Sequence, residues 1–392
     1  MEQSEEAEQK AHGTGEALTV AYDAKRALRN GTGLGNYSRY TIEVMSAAYR
    51  DMQCRMYAAA GSTDRVASLL ARDNVSLHTP AGGMSRRFPT LWRSRGMGRQ
   101  AAREGATVFH GLSNEVPAGI AATMPSVVTI HDVIWRRYPS DYSAIDRRIY
   151  DYKYGRSARA ATRVIAISEC TRADLITDFG IPEEKIDVIY QGIDSSFRPA
   201  SAEDIAMVRE AYSLPERYIV GVGTIQGRKN QLLAVKALRS IDDDVQLVLV
   251  GRCTAYAREI AGEAARLGVS HRVTMLENVP FAHLPALYSG AAVASYPSRY
   301  EGFGLPVVEA IACGTPVIAA TGSCLEEAGG PGAVYVSPDD TEAFADAAMR
   351  IIGNGSVRSQ MVSEGNSYIA RFNTGTFARK TMECYKRAIN EY

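Results

Sequence analysis

The chain has 392 residues, more than a single core of roughly 250–300 residues organises, so two domains are expected. Hydrophobic residues make up 46% and charged residues 22%, and 44 Lys plus Arg balance 44 Asp plus Glu. That neutrality speaks against a dedicated nucleic-acid binder, and no apolar run reaches the roughly 18 residues of a membrane span.

The first stretch, "MEQSEEAEQKAHGTGEA", is acidic and polar, unlike a secretory signal. It reads as a disordered lead-in over residues 1–17. A first domain is expected over 18–198. Its strand candidates are "ALTVAY", "TVFHG", "SVVTIHD", "RVIAIS" and "IDVIY". The loop "NGTGLGNYS", ahead of the helical "YSRYTIEVM", carries Gly31, Gly33 and Gly35. The third glycine comes one residue too early for the dinucleotide fingerprint, which disfavours a dehydrogenase. His131 closes the strand "SVVTI" and is followed by Asp132. Ligands gather at strand carboxyl ends in such domains, so His131 is a site candidate and His110 a weaker one. "SRRFPTLWRSRGMGRQAAR" holds six Arg and no acid, and "IWRRYPSDYSAIDRRIYDYKYGRSARAATR" adds further Arg and Tyr. An anionic membrane surface or lipid-linked acceptor would explain this charge. A solvated face with snorkelling Arg stems explains it equally well.

The boundary falls in "QGIDSSFRPASAED", rich in small polar residues, and a second domain is expected over 199–373. Its strands are "YIVGVGT", "VQLVLVG", "RVTMLE", "AVASYP", "PVIAA" and "AVYVS". Near-continuous apolar strands alternating with helices predict parallel sheets covered on both faces: α/β, two doubly wound Rossmann-like domains. After "YIVGV" come Gly223, Thr224, Arg228 and Lys229. Asn230 is placed to cap the helix "QLLAVKALRS". Cations there oppose the helix dipole, which a phosphate between them and the amides would reverse.

"SRYEGFGLPVVEAIACGTPV" predicts a loop, a helix from about Pro306 to Cys313, and Gly314 just past its end. Gly302 and Gly304 let main chain approach an anion at the helix start. Glu301 and Glu309 flank those amides. Carboxylates so placed suit sugar hydroxyls, and two of them suit a ligand with a hydroxylated ring on each side of a diphosphate. Plain surface charge is the competing reading. The last segment predicts a helix over 374–392. Six scattered Cys and six His lack metal-ligand spacing, so reduced thiols in a cytosolic protein and no metal are expected.

The Glu–seven–Glu segment "YEGFGLPVVEAIACGTPVIA" resembles the signature of retaining family-four glycosyltransferases of GT-B fold, and "VGTIQGRKN" resembles their phosphate-binding strand–loop. "AYDAKRALRNGTGLGNYSRYTIEVM", "FHGLSNEVP", "TIHDVIWRRYP" and "RVIAISECTRADLI" are similar to N-terminal blocks of a branch rich in mannosyltransferases of bacterial surface polysaccharide. The resemblance implies two Rossmann-like domains facing a deep cleft, the first (18–198) binding the acceptor and the second (199–373) the nucleotide-sugar, with a C-terminal helix crossing back to the first. It implies that Glu301 meets donor-sugar hydroxyls, Glu309 the ribose, and the amides of Gly302, Phe303, Gly304 and Leu305 the diphosphate. It places Gly33 and Gly35 near the donor phosphates and the acceptor, and His131 at the donor sugar or among the catalytic groups. Relatives commonly carry Arg directly after this "VG". Here Thr224 stands there, and Arg228 is the candidate replacement beside Lys229. The implied reaction is metal-independent hexosyl transfer to a saccharide or lipid-linked saccharide, with GDP-mannose the first choice of donor and a UDP-hexose the second. It implies a cytoplasmic enzyme, with a peripheral place at the inner face of the membrane left open. A non-catalytic nucleotide-sugar-binding subunit and a GT-B epimerase are the rival readings; an epimerase would lack the Glu–seven–Glu arrangement.

Overall fold

The computed structural model describes residues 18–59 and 64–392; the lead-in expected over 1–17 lies outside them. Contacts divide the chain into two units. One comprises residues up to Ile130, Tyr152–Ile165 and Ala378–Tyr392, the other His131–Asp151 and Ala166–Phe377.

The first sheet has seven strands: β1 (Thr19–Asp23), β2 (Gln53–Tyr57), β3 (Val75–His78), β4 (Val108–Gly111), β5 (Ser126–Ile130), β6 (Arg163–Ala166) and β7 (Ile186–Val188). Their order is β3-β2-β1-β4-β5-β6-β7. β2 and β3 escape the sequence reading. β2, "QCRMY", has no β-branched residue, and β3 is a four-residue edge strand; neither carries the signal that marks a buried parallel strand. Helix α1 (Gly33–Ala48) follows β1.

The second sheet holds β8 (Arg217–Val222), β9 (Val245–Val250), β10 (Val273–Leu276), β11 (Val293–Tyr296), β12 (Val317–Ala320) and β13 (Ala333–Val336), ordered β10-β9-β8-β11-β12-β13. Each recorded pairing is parallel. Successive side chains point to opposite faces. Val220, Val248 and Ala294 enter one apolar cluster, and Ile219, Leu247 and Val293 enter another. Both faces are therefore covered, which is why these strands read as unbroken apolar runs.

Three helices matter below: α2 (Glu169–Phe179), α3 (Leu305–Ala312) and α4 (Thr374–Asn390). Ser168 caps α2 through its hydroxyl, which accepts from the Thr171 amide at 3.0 Å. From Ala378 onward α4 belongs to the first unit, where the Tyr385 hydroxyl lies 2.7 Å from His110 Nδ1.

Candidate active site

In an open parallel sheet, ligands collect at the carboxyl ends of strands where the strand order reverses. In the second sheet that place lies between β8 and β11. β8 delivers Gly223, Thr224 and a 3-10 turn, Gly227–Lys229. β11 delivers Tyr296, Ser298, Glu301 and the entry to α3.

The two loops meet at one carboxylate oxygen. Arg228 Nη1 lies 2.8 Å and Lys229 Nζ 2.7 Å from Glu301 Oε1, with all three side chains at most 14% exposed. The Ser298 hydroxyl donates to the same oxygen. Among the described residues, the hydrogen bonds and ion pairs of Glu301 all fall on Oε1 and none on Oε2. Burial raises the Glu301 carboxyl, but Lys229 and then Arg228 outweigh it and hold it below the usual carboxylate range. Burial lowers Lys229, with Glu301 opposing the shift and Arg228 reinforcing it. Lys229 also donates to the Tyr296 hydroxyl and lies 4.6 Å from the centre of that ring. Arg228 donates to the Tyr300 carbonyl.

The cations therefore already have an anion. Arg228 and Lys229 form a pair of cations sharing one carboxylate.

The glycines answer first to the fold. A Cβ on Gly302 would sit 2.1 Å from the His131 carbonyl oxygen. The Gly302 carbonyl accepts from the Ser168 hydroxyl at 2.5 Å. His131, just past β5, is buried and enters the site's geometry through this main-chain contact. Gly304 precedes α3 at φ +105°, and a Cβ there would meet Leu325 at 2.7 Å. Gly223 lies at φ +140°, beside the Lys229 side chain. Thr224 offers its carbonyl to Gln231 Nε2 at 3.1 Å. The Phe303 ring is core, packed against Tyr190 and Phe372.

α3 begins at Leu305, with Pro306 in second place, one residue earlier than expected. Glu309, half-buried, is pushed up to about 8, by burial first and the Asp194 charge second, while the nearby Tyr288 hydroxyl pulls the other way.

Asn230 is not the helix cap that the sequence suggests. It adopts φ +56° and its side-chain amide donates to the carbonyls of Pro338 at 2.7 Å and Pro297 at 3.2 Å. It thereby pins the turn carrying Lys229 to the end of β11. Gly33 and Gly35 belong to the first unit and lie in the first turn of α1 rather than in a loop before it. Gly33 has open space around it, whereas a Cβ on Gly35 would fall 1.8 Å from the Asn30 carbonyl oxygen. His110 is a core residue of β4, fully buried between Tyr385 and Thr129 Oγ1, 2.8 Å from its Nε2.

Comparison with known proteins gives this geometry its context. The family model described as "Glycosyltransferase Family 4" matches residues 33–197, and that described as "Glycosyl transferases group 1" matches 204–368. Between them they span most of the chain. The chain belongs to the family-four glycosyltransferases. It is 24% identical over 369 residues to O-antigen chain mannosyltransferase B of Escherichia coli, across 91% of this chain and 96% of the relative. It is 30% identical over 245 residues to O-antigen chain mannosyltransferase RfbU of Salmonella typhimurium, across 62% and 65% respectively. Anabaena HepE in complex with UDP and glucose matches with TM-score 0.73 and 21% identity over 94% of this chain and 99% of that one. Sucrose-phosphate synthase from Thermosynechococcus elongatus matches with TM-score 0.73 and 22% identity over 94% and 98%. These likenesses show the GT-B fold.

Within this glycosyltransferase the structure adds residues that sequence reasoning missed. The Tyr300 hydroxyl donates to Asp174, and Arg137 pairs with the same side chain. Tyr300 is thus anchored on one side while its carbonyl holds Arg228. Asp132 is raised by burial, with a hydrogen bond from the Ile134 amide and the Arg228 charge opposing. Tyr300 and Asp132 stand next to flagged positions in sequence and Ser298 three before Glu301, while Asp174 lies in the block "RVIAISECTRADLI" with nothing local to single it out. Among the described residues no group of three or more His, Cys, Asp or Glu is placed to hold a metal ion.

Proposed function

We propose that this glycosyltransferase moves a hexosyl group, mannose from GDP-mannose in the first reading, to a hydroxyl of a saccharide or lipid-linked saccharide with retention of configuration. The observation that carries it is the convergence of Arg228 and Lys229 on Glu301 where the second sheet reverses its strand order. A nucleoside diphosphate entering there competes with the carboxylate for both cations. The cations turn toward the diphosphate, the amides of Gly302, Phe303, Gly304 and Leu305 add donors at the start of α3, and Glu301 is released to accept from sugar hydroxyls. Glu309 accepts from the ribose.

The step breaks the bond between the anomeric carbon and the β-phosphate oxygen. In a front-face route the acceptor oxygen bonds to that carbon on the face the diphosphate leaves, and the acceptor's proton passes to the departing phosphate oxygen. Negative charge grows on the diphosphate, and fixed cations and amides aimed at it lower the barrier. This mechanism asks no metal of the protein. The similarity to two O-antigen mannosyltransferases supports mannose. A UDP-hexose is the second reading, favoured by the fold likeness to HepE in complex with UDP-glucose.

No described helix is long and apolar enough to cross a membrane. The exposed Phe88 and Leu91 among arginines support peripheral contact with anionic lipid, on the cytoplasmic side. The test is acceptor-independent hydrolysis of GDP-mannose, UDP-glucose and UDP-galactose, followed by proton NMR of the anomeric configuration of the transferred sugar. Release of GDP and retained configuration are expected. No turnover of any nucleotide-sugar, or an inverted product, would overturn the reading.

A further inference from the structure

At the rim of the first sheet a cluster of side chains pairs a nucleophile with a base. Ser76 and His78 stand two apart on β3 and so share a face of that strand. The Ser76 hydroxyl lies 2.9 Å from His78 Nε2, and His78 Nδ1 lies 2.7 Å from Glu104 Oε2. Glu104 closes the helix Met97–Arg103. The Tyr57 hydroxyl donates to the same Glu104 oxygen at 2.6 Å, and Gln100 Nε2 donates to the other at 2.8 Å. Burial raises the Glu104 carboxyl, but Tyr57, Gln100 and then His78 outweigh it and hold it below the usual carboxylate range.

An ionised carboxylate only accepts, so His78 donates to it from Nδ1, and Nε2 is left as the acceptor for the Ser76 proton. Tyr57 is the register partner of His78 across the β2–β3 pair. The two rings stack, with centres 4.9 Å apart and planes 30° apart, which holds the imidazole in place. Solvent reaches the cluster: Ser76 is exposed, and the His78 and Glu104 side chains are 25% and 30% exposed. β3 is the edge of its sheet, and β2 draws on the carbonyls of Asn74 and His78. Alternate residues of a strand turn their main-chain groups to opposite sides, so Leu77, directly after the serine, aims its amide at the open edge. A nucleophile, a base, a carboxylate that orients the base and a main-chain donor are the parts of a hydrolytic triad, which geometry defines and chain order does not.

We propose that Ser76, His78 and Glu104 form a second site in this chain, one that hydrolyses carboxylic esters. A serine at an exposed sheet edge offers an acyl group little enclosure, so the substrate class is an ester of a small acyl group. Ser76 Oγ bonds to the carbonyl carbon while His78 Nε2 takes its proton, and the Leu77 amide faces the oxygen that becomes negative. The bond to the alcohol oxygen then breaks, and His78 returns the proton to that oxygen. Water attacks the acyl-serine in the same way, which releases the carboxylic acid and restores Ser76. Glu104 is a positioning residue: it orients the imidazole and balances the charge the ring gains. The proposal stands apart from the donor site of the second unit and shares no residue with it.

Hydrolysis of 4-nitrophenyl acetate by the full chain is the assay. The wild-type rate should exceed that of Ser76→Ala by roughly 100-fold, the low end of what a positioned base supplies, and His78→Ala should fall as far. Ser76 is exposed, so its variant keeps the fold, which circular dichroism checks. Glu104→Gln should lower kcat at unchanged KM, a split that partial unfolding would not produce. A fluorophosphonate probe, followed by peptide mass mapping, should label Ser76 in the wild type and leave Ser76 unlabelled in His78→Ala. A wild-type rate no faster than that of Ser76→Ala overturns the proposal. So does hydrolysis lost in His78→Ala but kept in Ser76→Ala, because the imidazole is then the nucleophile. A label found on another residue with Ser76 unmodified overturns it as well.

Discussion

Glu301→Gln separates the two duties of the carboxylate. The substitution keeps the size and the hydrogen-bonding capacity toward Ser298 but removes the charge shared by Arg228 at 2.8 Å and Lys229 at 2.7 Å. At an effective dielectric of about 20, unit charges about 4 Å apart attract by roughly 4 kcal/mol. Removing one member of a buried pair leaves the other uncompensated, at a cost of about 3–5 kcal/mol. Here two cations lose their partner together, so a loss of about 3 kcal/mol is a conservative expectation. For a unit of this size that lowers the thermal midpoint by roughly 6–12 °C. A nucleoside diphosphate supplies the missing negative charge, so adding GDP should raise the midpoint further in the variant than in the parent, while sugar transfer collapses. Differential scanning fluorimetry with and without GDP reads both effects. A midpoint within about 1 °C of the parent, with an equal response to GDP, would show that the cations do not depend on Glu301.

Lys229→Ala should cut kcat by roughly 100- to 1000-fold, the scale of one lost transition-state charge contact; steady-state kinetics with saturating donor would expose a normal rate if the role is wrong. Glu309→Ala should weaken nucleotide-sugar binding by roughly 3- to 10-fold, the worth of a hydrogen bond to a carboxyl that keeps its proton, and calorimetry giving an unchanged Kd would remove the ribose assignment. Glu309 also makes stability pH-dependent. Its folded carboxyl at about 8 holds a proton that an unfolded one releases near 4.3, so it favours the folded state at low pH and that advantage is lost as pH rises toward 8. Urea unfolding of wild type and Glu309→Gln should therefore diverge by on the order of 2 kcal/mol between pH 5 and pH 8.5, after discounting for partial exposure, with wild type losing ground; parallel pH profiles would contradict the buried environment. Gly35→Ala should destabilise the first unit by more than about 2 kcal/mol, since its Cβ would collide with the Asn30 carbonyl, whereas Gly33→Ala should leave stability unchanged or slightly raised. A drop in turnover with Gly33→Ala at full stability would mark a ligand-side role for that position.

The second unit was largely legible in the sequence because its chemistry is local. Its central strands are short apolar runs buried on both faces, and the loop from Ser298 to Leu305 announces itself by Gly, Pro and acid in one stretch. β2 and β3 were not legible, since "QCRMY" and "VSLH" lack the branched apolar run that a buried strand normally shows. Asn230 misled for a different reason. Its residue type favours a helix cap, but the structure spends its amide on carbonyls 67 and 108 residues away. The same limit hid the centre of the site. Sequence placed Arg228 and Lys229 on a phosphate and Glu301 on a sugar, and nothing local reveals that residues some 72 positions apart share one oxygen. Gly302 shows how one pattern serves two ends: the missing side chain is required by the His131 carbonyl whether or not a ligand approaches.

The most direct test is a crystal of the protein soaked with GDP or UDP. The diphosphate should lie between the turn Gly227–Lys229 and the start of α3, with its oxygens within hydrogen-bond distance of Arg228 and Lys229 and the Lys229–Glu301 contact lengthened. A diphosphate bound elsewhere, or a divalent ion chelated to protein in that place, would contradict the account.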